Sequence, residues 1–437
     1  MRNIRKRIAV LLLGIGGMFL LLAQEVVAQT EDENYGNTPS ALLPYNNYQK
    51  AYKYHFHYPP QGFTGAGREK PEPEGLTEVR IGVLAPLEGS PITPLGIQMY
   101  QGALLAAEEA NARGGYKGLP FTIMPHNDVG LWGAAANEVV HMSDEGCWAI
   151  LGTIDDINSH VAIRVALKLE IPVINTGDPD PTFTETNIPW VIHPIADDRQ
   201  SCYGLVDHIY KKEGLKRVAV LRPDNRYGRV GVMEIRDAAN RVGYPIVLEV
   251  RFDDGDTDFT KQLERIQDSN PDAVLLWGNA PEMARILNQM RDMGMDYPVF
   301  CSDRSVNPEF LEIAGDNANG IVTTCQYNPD ADIPELKAFQ KNYKKRFGTE
   351  PDVFAAHAYD GMNMIIDAIQ MEGLNKVLIR DVLTDLKTFQ GYQGVTGKII
   401  FNAAWNDIGT IWMVRIENGD FIFYPTSWEQ DFQTSEK

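Results

Sequence analysis

The feature that most constrains this chain is an alternation of short apolar strands and amphipathic helices that begins at Glu78 and repeats through to Thr324. Its first unit, Glu78 to Gly115, joins an apolar strand (79–85) to a loop rich in Gly, Ser and Pro (86–96), then to a helix. Apolar Ile97, Tyr100, Leu104 and Ala107 recur three and four apart, which predicts the buried stripe of that helix, and Gly114-Gly115 closes it. Further strand-like runs fall at 121–124, 148–151, 172–174, 218–221, 246–250, 273–277, 299–301 and 321–324. Helical stripes lie between them, such as Ala162, Val165, Ala166 and Leu169, or Met283, Ile286, Leu287 and Met290. Gly146, Gly214, Gly243 and Gly294 stand where helices should stop. Repeated strand–helix alternation requires parallel sheets covered by helices on both faces.

The alternation occurs twice, from Glu78 to Asn175 and from Arg217 to Thr324. Each series can hold its own core, so the pattern predicts an α/β fold of two doubly wound lobes. Beyond Tyr327 come two long helices (334–347 and 354–370) and a strand pair (412–416 and 421–424) around the turn Glu417-Asn418-Gly419-Asp420. Lobe 1 is expected at 76–196 with 327–407, and lobe 2 at 197–326 with 408–437. The hinge would then have three crossings, near Ala196, Gln326 and Ile408. In such sheets ligands collect beyond the strand carboxyl ends, where helix N-termini offer unpaired N–H groups.

Ahead of the alternation, Arg2, Arg5, Lys6 and Arg7 precede an apolar run from Ile8 to Ala23 and the small residue Ala28. This reads as a secretory signal peptide over 1–28, with a retained anchor as the alternative. The protein is therefore expected to be periplasmic or secreted, with no membrane insertion of the mature chain. Residues 29–75 form an aromatic and Pro-rich arm, with Tyr45, Tyr48, Tyr52, Tyr54, Phe56 and Tyr58 before Pro59-Pro60. His55 and His57 could share a metal there, but an arm lying along the outside of the lobes is the simpler reading, and no metal or cofactor is expected.

A formal charge of −19 argues against nucleic acid and anionic membranes as partners. The four cysteines show no zinc spacing; Cys301 and Cys325, each closing an apolar strand, are the one candidate bridge. Neither a G-x-S-x-G elbow nor a phosphate-binding P-loop is present, and His160, His193, His208 and His357 fall where structural histidines are common, so no enzyme is expected.

Several runs, in order, resemble the type I periplasmic solute-binding proteins of the branched-chain amino acid class, which feed ABC importers. They are IGVLAPLEGS, GALLAAEEANARGG, AILGTIDD, IPVINTGDPDPTFT, VAVLRPDNRYG, DDGDTDFTKQLERIQDSNPDAVLLWG and FGTEPDVFAAHAYDG. The resemblance implies a small-molecule ligand held between two lobes and delivery to importer membrane subunits. The same fold could instead serve as the binding subunit of a sensor or of an exported enzyme system. It further implies contacts from Glu88, Gly89, Ser90 and Leu95, from Asp155 and Asp156, and from Gly177, Asp178 and Pro179 in lobe 1. Lobe 2 would add Tyr227, Asn279, Asp303 and Arg304. Amino acid binders of the family usually have a small hydroxyl residue where Asp156 stands and Thr or Ser where Pro179 stands, to hold the ligand carboxylate. They have an acidic residue where Arg304 stands, to hold the ammonium. Here that polarity is altered, so a leucine-like ligand in the usual pose is not expected.

Overall fold

In the computed structural model the first series runs β1 (Val79–Ala85), α1 (Thr93–Ala112), β2 (Phe121–Asn127), α2 (Ala134–Asp144), β3 (Ile150–Leu151), α3 (Asp156–Leu169), β4 (Val173–Ile174), α4 (Thr182–Glu185) and β5 (Val191–Ala196). After α5 (Asp198–Val206), the second runs β6 (Val218–Pro223), α6 (Arg226–Arg241), β7 (Leu248–Phe252), α7 (Thr260–Asp268), β8 (Ala273–Leu276), α8 (Ala280–Asp292), β9 (Val299–Cys301), α9 (Pro308–Ala314) and β10 (Val322–Cys325). Then follow α10 (Pro334–Phe347), α11 (Val353–Glu372), α12 (Lys376–Thr384) and the strands β11 (Tyr392–Gln393), β12 (Lys398–Ile399), β13 (Asn406–Asp407), β14 (Trp412–Glu417) and β15 (Asp420–Pro425). The residues described are 65–129, 133–186, 188–385, 391–402 and 404–426; the signal peptide and most of the aromatic arm, His55 and His57 included, lie outside them.

Two large sheets result. One is wholly parallel, in the order β13-β5-β4-β3-β1-β2. The other is β15-β14-β10-β9-β8-β6-β7, parallel except for the β14–β15 hairpin and its pairing with β10. Strand alternation explains why both faces are covered. Val79, Ile81, Val83 and Ala85 enter the core beneath α1 and α11, while Leu84 enters the core beneath α2 and α3. In β6, Ala219 and Leu221 face α7 and α8, whereas Val218 and Val220 face α5 and α6. The hairpin turns on Asn418 and Gly419 with φ of 53° and 83°, as a two-residue turn matched to strand twist requires. Gly146, Gly214, Gly243 and Gly294 all have positive φ just past helix ends.

The chain leaves one sheet for the other three times: after β5, after β10, and between β13 and β14. On this topology we propose the lobe limits 76–196 with 327–407, and 197–326 with 408–437. Arg199, in the first crossing, pairs with Glu185 of the first lobe at 2.7 Å and with Glu234 of the second at 3.1 Å.

Three expectations are corrected. The buried stripe of α1 is led by Gly96, Met99, Ala103, Ala106 and Ala110; of the expected stripe Ala107 is buried, whereas Ile97 is 41% exposed. Small residues win this face because α11 packs closely on α1, and a Cβ at Gly102 would overlap the Ala355 carbonyl. All four cysteines are buried and free. Register sets Val322 beside Phe300, hence Thr323 beside Cys301, and leaves Cys325 about 8 Å away, beyond disulfide reach. Finally, β5 escapes the sequence reading because His193 and Pro194 interrupt its apolar run.

The described end of the arm is fastened to lobe 1. Arg68 pairs with Asp381 at 2.7 Å, and Asn375 donates to the Gly67 carbonyl at 2.8 Å. Glu72 accepts from Tyr116, from Lys117 at 2.7 Å and from the Leu374 N–H at 3.0 Å. These bonds to Lys117 and Tyr116 outweigh partial burial and hold the Glu72 carboxyl at a pKa of about 2. Because Tyr116 follows the end of α1, this fastening lies away from the strand carboxyl ends.

Two outcomes are expected in urea unfolding. Gly102→Ala should lose about 2 kcal/mol, because overpacking against α11 exceeds the gain of about 1 kcal/mol in helix propensity. Glu72→Gln should cost about 1 kcal/mol at pH 7. A depressed carboxyl contributes above its unfolded pKa, so that difference should shrink as pH falls from about 4.5 and vanish below about 2.

Candidate functional site

Loops at the carboxyl ends of both sheets meet between the lobes. The loop after β3 supplies Asp155 and Asp156. Asp155 is committed to structure, because its carboxylate caps α3 by accepting the Asn158 N–H at 2.9 Å. Asp156, one residue on, is only 5% exposed and has no ion-pair partner among the described residues. The loop after β4 is shaped by Asn175, whose Oδ1 accepts the N–H groups of Gly177 and Asp178, both at 2.9 Å. A Cβ at Gly177 would have to displace the Met99 methyl and crowd Ile154. Asp178 is fully buried; one oxygen accepts the Asp180 N–H at 2.9 Å and Oδ2 has no partner. The Pro179 carbonyl accepts the Asp198 N–H at 2.8 Å.

From the second sheet, Tyr227 lies in the first turn of α6, which Asn225 caps. Its hydroxyl donates to Asp303 at 3.1 Å, and its ring lies 5.7 Å from that of Trp277. The Arg304 guanidinium stacks on the Tyr227 ring, 3.7 Å from the centroid, and donates through Nη1 to Asn279 at 2.8 Å. Its Nη2 is buried without a partner among the described residues. The other Asp303 oxygen accepts from Gln326 at 3.1 Å. Asp156 and Arg304 do not pair directly, although the Arg304 charge reaches Asp156.

The resemblance thus names residues that fall into two groups. Asp156, Gly177, Asp178, Pro179, Tyr227, Asn279, Asp303 and Arg304 converge. Glu88 is exposed, and Ser90 is occupied in its own loop, accepting the Ile92 N–H at 3.3 Å. Leu95 lines a cavity of about 830 Å³ shared with Asn279 and Arg304.

Sequence reasoning missed Asp198, Asp180 and Arg226. Asp198 is buried at the first crossing, with Oδ1 unpartnered. Asp180 accepts from Thr182 at 2.7 Å and from Arg226 of lobe 2, whose Nη2 lies at 2.6 Å. Arg226 also donates to Thr182 at 2.8 Å, and its Nη2 lies 3.0 Å from His160 Nε2, so this one side chain clasps the lobes together. The only available signal was the acidic spacing in GDPDP and ADDR, and it went unread because β5 between them was not recognised.

Burial dominates the titration of this seam. It raises Asp156 to a pKa of about 7, with Asp155 and Asp180 adding to the rise and Arg304 opposing it. Burial, then Asp156 and Asp180, push Asp178 well up; burial and Asp303 do the same to Asp198. Burial acts on Asp180 as well, but hydrogen bonds from His160 and Thr182 and the Arg226 charge overcome it and hold that carboxyl well below its usual range.

A family model described as periplasmic binding protein matches residues 78–420. The chain belongs to the periplasmic binding protein family. It is a type I member of the branched-chain amino acid class. A Brucella abortus protein named Leu/Ile/Val-binding protein homolog 2 is 28% identical over 341 residues, covering 75% of this chain and 87% of that one. The leucine binding protein LivK of Thermotoga maritima superposes with a TM-score of 0.73 at 25% identity, over 80% of this chain and 99% of its own. An R. palustris solute-binding protein solved with benzoate gives 0.71 at 18% identity, over 80% and 96%. Solute-binding proteins are the company this binding protein keeps, and among its described residues no helix is long and apolar enough to cross a membrane.

Breaking the clasp should be visible without any ligand. Arg226→Ala leaves buried Asp180 with only His160 and Thr182 as side-chain partners, so it should destabilise by about 3 kcal/mol. Small-angle scattering should show a larger radius of gyration as the lobes part. An unchanged radius together with an unchanged melting temperature would show that Arg226 does not hold the lobes.

Proposed function

We propose that this binding protein captures a small polar solute between its lobes and delivers it to an ABC importer. We further infer that the solute carries a positive or hydrogen-bond-donating group and, apart from it, an acceptor or negative group. One observation carries this reading: among the described residues, Asp156, Asp178 and Asp198 are buried with no ion-pair partner, while Arg304 Nη2 is buried with no acceptor. A charge removed from water needs an opposite charge or several hydrogen bonds. A donor group toward the aspartates and an acceptor toward Arg304 supply both, with the apolar part of the solute against Tyr227. Leucine in the usual family pose would set its carboxylate against Asp156 and its ammonium against Arg304. Membership of the branched-chain class supports transport, and the seam supports a different ligand.

The test is a thermal-shift screen of amines, guanidinium compounds and amino amides that carry a separate acceptor, beside leucine and benzoate. A ligand at 100 times its dissociation constant should stabilise by about 2.7 kcal/mol. With the best hit, Asp156→Ala and Arg304→Ala should each lose about 2–5 kcal/mol, roughly 30-fold or more, in calorimetric titration. A cationic group needs ionised Asp156, so affinity should hold above pH 7 and fall up to about tenfold per unit below it. Two variants that bind like the parent would remove these residues from the site. Tight binding of leucine with no pH dependence would overturn the ligand class.

A further inference from the structure

At the β2 edge of the first sheet, three side chains of metal-binding type converge. His126 lies near the end of edge strand β2; Glu138 and His141 lie one turn apart on α2. One ligand atom from each of the three falls within 4.8 Å of the other two. Glu138 Oε2 is the shared centre, 2.6 Å from His126 Nδ1 and 3.5 Å from His141 Nδ1. The two imidazole rings stand 6.4 Å apart, centroid to centroid. In a tetrahedral site with bonds of about 2.0–2.1 Å, ligand atoms sit about 3.3 Å from one another. The cluster thus needs only sub-ångström adjustment at the Glu138 contacts to meet that spacing.

A second observation separates this cluster from a chance surface grouping. The other nitrogen of His126, Nε2, lies 3.0 Å from Glu145 Oε2. A carboxylate on the far nitrogen is the arrangement that orients a metal-bound histidine and raises its basicity. Nε2–H donates to Glu145, and Nδ1 donates to Glu138 at 2.6 Å; a metal would take the place of that Nδ1 proton, with the freed lone pair directed between Glu138 and His141. Glu145 is itself fixed, because its carbonyl accepts from Arg80 at 2.8 Å. The His126 side chain is only 12% exposed and that of His141 is 58% exposed, so a metal would enter from the His141 side.

We propose that His126, Glu138 and His141 form a divalent transition-metal site, with Glu145 as the positioning carboxylate and solvent completing the coordination. Two imidazoles and one carboxylate suit Zn²⁺, and they do not suit Ca²⁺ or Mg²⁺, which favour oxygen donors. The site joins the edge of the first sheet to the helix that follows it. The next residue, Asn127, accepts the Leu87 N–H at 2.9 Å, so a metal on His126 would also brace the loop that follows β1.

The experiment is calorimetric titration of untagged, chelator-treated full-length protein with Zn²⁺, repeated with Co²⁺ followed by visible absorption. One equivalent should bind, with the absorption of a four-coordinate nitrogen and oxygen site, and Zn²⁺ should raise the melting temperature. His141→Ala, on an exposed position that should not disturb folding, is expected to weaken binding at least tenfold. Glu145→Gln should weaken it by about 10–100-fold while leaving the stoichiometry intact. His55→Ala/His57→Ala should leave it unchanged. Absence of binding to the parent, binding that survives His141→Ala unaltered, or loss only in the His55/His57 variant would each overturn the assignment.

Discussion

Removing a carboxylate from water is costly unless a cation or several N–H donors replace the lost solvation, and the seam between the lobes gathers at least five aspartates under that constraint. Two have been satisfied within the protein. Asp180 has Arg226, Thr182 and His160 around it, and Asp303 has Tyr227 and Gln326. Asp156, Asp178 and Asp198 have not been satisfied to the same degree, and their raised pKa values are the mark of that shortfall. Satisfied groups fix how the lobes face each other; on the proposed function, unsatisfied ones define what the cleft can accept.

The sheets beneath the seam make this arrangement possible. Apart from the β14–β15 hairpin, both are covered on two faces, so the parallel strands alternate between two apolar cores and their connections carry a helix back across the sheet. Every return leaves a loop at the same end, and the charged residues accumulate on those loops because nowhere else in a doubly covered sheet can hold them. Gly102 shows how tightly this is packed: one helix contact depends on the absence of a single Cβ.

Much of the architecture was legible in the residues because period-two and period-3.6 patterns follow directly from burial. The glycines past helix ends and the Asn418-Gly419 turn were equally readable, since few other residues adopt those backbone angles. What escaped was set by long-range partners. The stripe of α1 was misjudged because its partner, α11, lies some 250 residues away and demands small residues instead of large ones. The β5 strand escaped because its neighbours β4 and β13 tolerate a histidine and a proline that local pattern would reject. The aspartates at 180 and 198 could not be read without β5, and Arg226 could not be matched to Asp180 from the sequence alone. Where the family resemblance named Glu88 and Ser90, the side chains lie exposed or engaged locally; where it named Asp156 and Arg304, they face the same space.

Arg199 sets a limit on how this molecule can move. Its guanidinium is buried and held by a carboxylate from each lobe, Glu185 on one side and Glu234 on the other. Drawing the lobes straight apart would strip one carboxylate from a charge that has no water to replace it. Turning one lobe about the guanidinium would keep both contacts, because a planar group with five donors tolerates rotation better than extension. The crossing therefore acts as a pin: it admits a swing and resists a pull.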